Sequence, residues 1–247
     1  MFYSTLGWDI FPSMHISLSP TEEIDTGGPK RALPPSSPLF ASDLERLCRD
    51  DEQILRSTIE GRSTADTLVA LVPDAHTLQW HHAREEFLAT ELQVKIPDVK
   101  GAMATFRNEK SSSTQRVWCF WARKFGTEEA ENVLYILRIV VPEDMSAVSA
   151  SKLGQVNIKD AETNPQTLAI TAVLRAAQIE AARSGMREVH VWNPTESVIT
   201  SAKLLDPAVR VIEREEESLT SMRMHGPQDA RPYGKVEWLA NERFGWC

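Results

Sequence analysis

Two stretches of the chain are apolar almost without interruption. They are QRVWCFWAR (115–123) and VLYILRIVV (133–141). Both are dense in β-branched and aromatic residues on both alternating faces, which predicts strands buried on two sides. The polar KFGTEEAEN between them holds Gly126 and predicts an antiparallel hairpin. Elsewhere the period lengthens. Leu44, Leu47, Cys48, Leu55 and Ile59 fall on one helical face, with a capping box from Ser42 and Glu45 and an end at Gly61. TLVALVP (67–73) predicts a short buried strand. Asp74 can cap a second helix, with Trp80, Ala83, Phe87 and Leu88 turned to the core.

Further on, Asn164 is placed to cap a helix and Pro165 to occupy its first position. Ile170, Val173, Leu174, Ala177 and Ala181 then share a face, and Gly185 ends the element. REVHVWN (187–193) predicts a strand stopped by Pro194, ESVITSAKLL a short helix, and 209–213 and 218–224 two more strands. The tail VEWLANERFGWC carries three large aromatics and is expected to dock on the body. From residue 115 the order is strand, strand, helix, strand, helix, strand, strand. The link from 133–141 to 187–193 is long enough for a right-handed parallel crossover. The fold class is α/β (an α+β mixed sheet) with helices packed on it. The stretch 142–164 is polar and gives no firm element.

SPTEEIDTGGPKRALPPSSP (19–38) holds five prolines and two adjacent glycines, a linker composition. Before it, FYSTLGWDIFPS reads as the last turn of a helix, a left-handed stop at Gly7, and an extended WDIF. An end without a beginning is odd.

The composition excludes several classes. The chain has 247 residues, is 42% apolar and carries a net charge of −8, with no basic stripe for nucleic acid. Mean hydropathy is −0.31 and no run reaches a membrane span. No signal peptide pattern opens the chain. A cytoplasmic protein without membrane or nucleic-acid partners is expected. Cys48, Cys119 and Cys247 are odd in number and far apart, against a disulfide framework or thiolate metal site.

Some clusters carry potential chemistry. In WHHAREEF, His81 with Glu85 and His82 with Glu86 lie four apart on a helix and could share a cation, as in a metal hydrolase. The plainer reading is two surface pairs worth a few tenths of a kcal/mol each. EREEES places Glu215 and Glu217 on one face of a strand and Glu216 on the other, as a substrate-facing base or a charged edge. Arg138 inside an apolar strand needs an acidic partner. His190 and Trp192 share a face suited to packing. No Gly-x-Ser-x-Gly, Walker, Gly-x-Gly-x-x-Gly or paired Cys-x-x-Cys motif occurs, and the sequence assigns no catalytic base.

The order of elements resembles the C-terminal two-thirds of the GNAT acyltransferase fold. HHAREEF, RVWCFWAR, LYILRIVV, VLRAAQIEAA, VWNP, REEES and VEWLANERFGWC together are similar to a fungal family of lysine acetyltransferases of lysine catabolism. The resemblance implies acetyl-coenzyme A as co-substrate, held where two strands splay apart beside a helix, and lysine as acceptor. It implies that residues 1–18 are the remnant of a first GNAT-like domain, 19–40 a linker and 41–247 a GNAT-like C-terminal domain, in a chain lacking most of its first domain. It also exposes a departure. Family coenzyme sites use a Gln/Arg-x-x-Gly-x-Gly/Ala turn into a helix N-terminus, where backbone amides and the dipole meet the pyrophosphate. RKFGTE, RMHGPQ and RPYGKV each lack the final small residue. KDAETN, leading into the helix at Pro165, has no glycine, and its Asp160 and Glu162 repel phosphate. The expectation is a chain that binds no coenzyme well and is inactive alone, with Glu215, Glu216 and Glu217 as candidate partners of the lysine ammonium. The alternative is a non-catalytic GNAT-like module for binding or assembly.

Overall fold

The computed structural model describes residues 5–22, 33–62, 66–108, 112–126, 128, 131–142, 144, 161–214, 219–224 and 235–246. Its strands are β1 (Asp9–Ile10), β2 (Ser13–Leu18), β3 (Ser36–Leu39), β4 (Thr67–Ala70), β5 (Gly101–Arg107) and β6 (Thr114–Lys124), followed by β7 (Val133–Val140), β8 (Glu188–Trp192), β9 (Arg210–Arg214), β10 (Ser221–Met222) and β11 (Val236–Leu239). Its helices are α1 (Leu44–Gly61), α2 (Ala75–Glu91), α3 (Pro165–Arg183) and α4 (Glu196–Leu205).

The two apolar stretches do form an antiparallel pair, β6 and β7, at the middle of a seven-stranded sheet ordered β3-β5-β6-β7-β8-β2-β9. Apolar side chains on both faces demand cover on both faces. On one side lie α3 and α4, over Trp121, Ile136, Val189 and Ile16. On the other lie α1, α2 and the tail residue Phe244, over Trp118, Phe120, Leu137 and Val140. Helix α3 crosses from β7 to β8, which are the parallel pair of this sheet. It starts as its sequence predicts, with Asn164 accepting the Thr167 N–H at 3.0 Å, and the chain leaves it through Gly185 at φ +67°.

The alternation in β7 breaks once. The register slips between Phe120 and Trp121 of β6, giving β7 one extra residue at Leu137. Leu137 and Val140 join the cluster under α1, while Ile136 and Ile139 join the other. The bulge therefore turns Arg138 toward α1, in line with what bulges do to a side chain's aim.

Ser13–Leu18, expected within a remnant of another domain, is paired on both sides, with β8 and with β9, and is buried throughout. The stretch expected as linker contains β3, an edge strand beside β5 where Pro38 is tolerated because one side needs no donor. Gly7 takes φ +77° behind a helical turn at Thr5, so the left-handed stop is present. Of WDIF only Asp9–Ile10 is strand, paired with β10. The tail docks as expected, with β11 running parallel to β4.

Three local expectations are corrected. The Ser42 and Glu45 box is not used. Asp43 Oδ2 instead accepts the Phe40 N–H at 3.0 Å, closing a tight turn ahead of α1. In α2 the predicted face is turned outward, with Trp80 45% and Phe87 64% exposed. The face that packs is Leu78, His81, His82, Glu85 and Ala89. Its neighbours explain the rotation. Leu78 joins the apolar cluster under the helix, while His81 and His82 meet backbone carbonyls and Glu85 meets two cations, so hydrogen-bond matching fixes the rest of the face. Third, the strands after α4 are shorter than or shifted from prediction, at 210–214 and 221–222.

Candidate functional site

Strands β7 and β8 run side by side only from Val133 with Glu188 to Ile136 with Val191, then part. Diverging strands leave backbone amides without a ladder, and these need other partners. Here the tail supplies them. The Ile139 N–H donates to Glu242 Oε2 at 2.8 Å. Across the gap, Asn193 Nδ2 donates to the Asn241 carbonyl at 2.5 Å, while its Oδ1 accepts the Met14 N–H at 3.0 Å. Asn193 holds φ +44° and Ala240 φ +50° to make this possible. Asn tolerates that region and Ala pays for it in strain.

Glu242 is tied further down. Arg138 donates to it and, through Nε and Nη2, to both oxygens of Asp51 on α1 at 2.8 and 2.7 Å. One cation thus sits between two buried carboxylates. Burial opposes the Arg138 charge, but Asp51 and Glu242 outweigh it and raise its pKa. Glu242 is pushed up to about 7, chiefly by burial, against the pull of Arg138 and the Ile139 amide. The sequence expectation of an acidic partner for Arg138 is met twice. Asp51 gave no signal because it stands on the apolar face of its helix, and Glu242 because it lies in the tail.

At the N-terminus of α3, Pro165 has no amide to offer and Thr167's is taken by Asn164. Gln166 Nε2 donates to the Pro142 carbonyl at 3.2 Å, tying the helix start to the end of β7. Glu162 lies just ahead of the cap, and Asp160 lies outside the described residues.

The WHHAREEF residues are neither a metal site nor surface pairs. His81 Nε2 donates to the Phe244 carbonyl at 2.9 Å and His82 Nε2 to that of Trp121 at 3.0 Å. Glu85 takes Lys100 at 3.0 Å and Arg123, and Arg123 reaches on to Glu180. Of the four, only Glu86 is exposed. Burial lowers both imidazole pKa values, His82 to about 4, and Lys100 adds to the effect there. Among the described residues no group of three or more such side chains could hold a metal ion. Cys48 and Cys119 are buried and their thiols pushed up to about 12 by desolvation, so they are inert apolar residues. Cys247 lies outside the described residues, as do Glu215, Glu216 and Glu217.

A second cluster lies on the sheet face opposite α3 and α4. Strand register assembles it in rows. Tyr135, His190, Ser17 and Arg210 are cross-strand neighbours in one row, and Trp192, His15 and Ile212 in the next. His190 Nε2 donates to Glu188 Oε2 at 2.6 Å, and Glu188 also accepts Arg210. The His15 and His190 rings lie 4.6 Å apart. Burial lowers the pKa of both, His15 to about 4, helped by Arg214. Sequence reading found His190 and Trp192 on one face but not His15 or Arg214. His15 stands 175 residues before His190 and Arg214 22 residues after Trp192, and only the strand order brings them together.

Among the described residues no helix is long and apolar enough to cross a membrane. No curated protein matches the chain. Residues 15–247 match the family model described as the LYC1 GNAT-like C-terminal domain, and with its mixed sheet flanked by helices the chain belongs to that GNAT-related acetyltransferase family.

Proposed function

We propose that this domain is the part of an acetyl-coenzyme A-dependent lysine N-acetyltransferase that does not itself hold the coenzyme, and that it works beside a coenzyme-binding GNAT unit. One observation carries the reading. The Ile139 N–H, at the place where β7 and β8 part, belongs to the Glu242 carboxylate. An acyl thioester needs an amide donor for its carbonyl oxygen and amides for its phosphates. Here the first is occupied by the buried Glu242 carboxyl, itself held by Arg138. For the second, the first turn of α3 has Pro165 and a capped Thr167. The residues present do not fit acetyl-coenzyme A. The family reaction needs a base to take a proton from the lysine ammonium before the amine attacks the thioester. In this reading the coenzyme side of that reaction is assembled elsewhere.

The test is a melting curve of the purified chain with millimolar acetyl-coenzyme A. No shift is expected, whereas a ligand at 100 times its Kd stabilises by about 2.7 kcal/mol. Acetyl-lysine, read by mass spectrometry, is expected only when a coenzyme-binding GNAT unit of the family is supplied. Turnover by these 247 residues alone contradicts the reading.

A second reading, a non-catalytic assembly module, draws on Trp80 and Phe87. Both stand exposed on α2, with Arg84 near the Trp80 ring at 5.9 Å. Sedimentation of Phe87→Asp against the parent chain, with and without a coenzyme-binding unit, separates the two. Loss of association favours assembly through α2.

A further inference from the structure

The buried cations described so far come with carboxylates. Arg138 has Asp51 and Glu242, Arg123 has Glu85 and Glu180, and at the rim Arg210 has Glu188. Arg214 differs. Among the described residues no carboxylate contacts its guanidinium, yet it is held in place more firmly than a surface arginine. Its guanidinium carbon lies 3.6 Å from the centre of the Trp192 ring. Its Nε donates to His15 Nδ1 at 3.3 Å. Trp192 and His15 are register partners and both are buried, so the platform is fixed by the sheet. The ring face and the Nε are in use, which leaves the two terminal nitrogens, the fork that matches a carboxylate.

The surroundings favour an anion. The Arg243 guanidinium lies 4.8 Å from the same indole and 5.0 Å from Tyr135. The nearby Glu188 is already shared by Arg210 and His190. Burial lowers the pKa of His15, to about 4, and of His190, so neither imidazole is driven toward the charged form. Among the described residues two guanidiniums thus meet at one indole, on a chain of net charge −8. Burial lowers the Arg214 pKa to about 10, with Arg243 contributing, as expected of a cation lacking a counter-charge. One free fork suits a monoanion better than a phosphate.

We propose that Arg214, half-buried and braced on Trp192 and His15, binds the carboxylate of a small amino-acid ligand at the edge strand β9, beyond the cluster under α1 and α2. Recognition of a carboxylate follows from the geometry. Its assignment to the acceptor amino acid rests on the lysine reading above.

The purified chain is titrated with L-lysine, L-norleucine and cadaverine by calorimetry and tryptophan fluorescence. Lysine and norleucine, which keep the carboxylate, are expected to saturate, and cadaverine, which lacks it, is not. Arg214→Gln is expected to weaken both amino acids about 10- to 100-fold. Arg214→Lys, a point charge without the fork, is expected to fall between. Melting curves confirm that each variant folds. If norleucine binds as well as lysine, the carboxylate site stands and the lysine reading falls. Equal binding of cadaverine, binding unchanged in Arg214→Gln, or no binding of either amino acid overturns the proposal. So does binding seen only after Glu215, Glu216 and Glu217 are changed to Gln, since the chain's own acidic run is then the partner.

Discussion

The two halves of one sheet face handle buried charge in opposite ways. Over β5, β6 and β7 lie α1, α2 and the tail, and Arg138 there is clasped by two carboxylates from different elements. Beyond them the core cluster under α1 and α2 takes no residue from β8, β2 or β9. There Arg214 is fixed by stacking and one hydrogen bond but meets no carboxylate among the described residues. A cation placed in a low-dielectric interior is costly unless matched, so matching marks a structural role. Arg214, braced yet meeting no carboxylate among the described residues, is the anion site proposed above. The place where β7 and β8 part falls in the matched half, and there Glu242 takes the Ile139 N–H.

The largest expected effect tests the matched half. Arg138→Met leaves Asp51 and Glu242 buried without their cation and is expected to cost about 3–5 kcal/mol, read from the urea midpoint. Arg214→Gln removes a half-buried side chain from an edge strand and is expected to cost about 1 kcal/mol or less. Similar losses at both positions erase the contrast.

The next effect concerns pH. Glu242 has its folded pKa raised to about 7 from 4.5, so the fold favours its protonated form. Its contribution is complete below about 4.5 and is lost as pH rises through 7. His15 and His82, lowered from 6.5 to about 4, act in the opposite sense. Their contribution is complete above 6.5 and is lost as pH falls through 4. Between pH 4.5 and 6.5 the slopes oppose each other, and above 6.5 the glutamate acts alone. Glu242→Gln is expected to remove the decline toward neutral pH and leave stability rising from pH 4 to 6.5. An unchanged pH profile places Glu242 outside the linkage. The smallest effect is Ala240→Gly, which relaxes a left-handed residue at the base of the tail and is expected to raise stability by about 0.5–1 kcal/mol, visible in the melting temperature.

Much of the fold was legible because it rests on dense local signals. The β6 and β7 hairpin, the capped α3 and the docking tail follow from runs of branched and aromatic residues and from cap chemistry. What escaped has physical reasons. Strand β5 buries Ala102 and Ala104, residues too small to register as an apolar pattern. Strand β3 hides among prolines that only an edge permits. The face of α2 was misplaced because Trp80 and Phe87 outweigh histidines on any hydropathy scale, while the partners of His81, His82 and Glu85 are carbonyls and cations. The candidate site was less legible still. Arg138 announced its need for a partner, but its partners come from α1 and the tail, 87 and 104 residues away. Arg214 reaches Trp192 and His15 only because β2 lies between β8 and β9, a placement no local pattern encodes.

The account stands on ownership of one amide. A nitrogen-15 spectrum of the chain, with the Ile139 resonance assigned, is recorded while acetyl-coenzyme A is raised to millimolar concentration. The Ile139 amide is expected to hold its position and its slow hydrogen exchange, because Glu242 keeps it. A saturable shift of that resonance, with loss of its protection, contradicts the account.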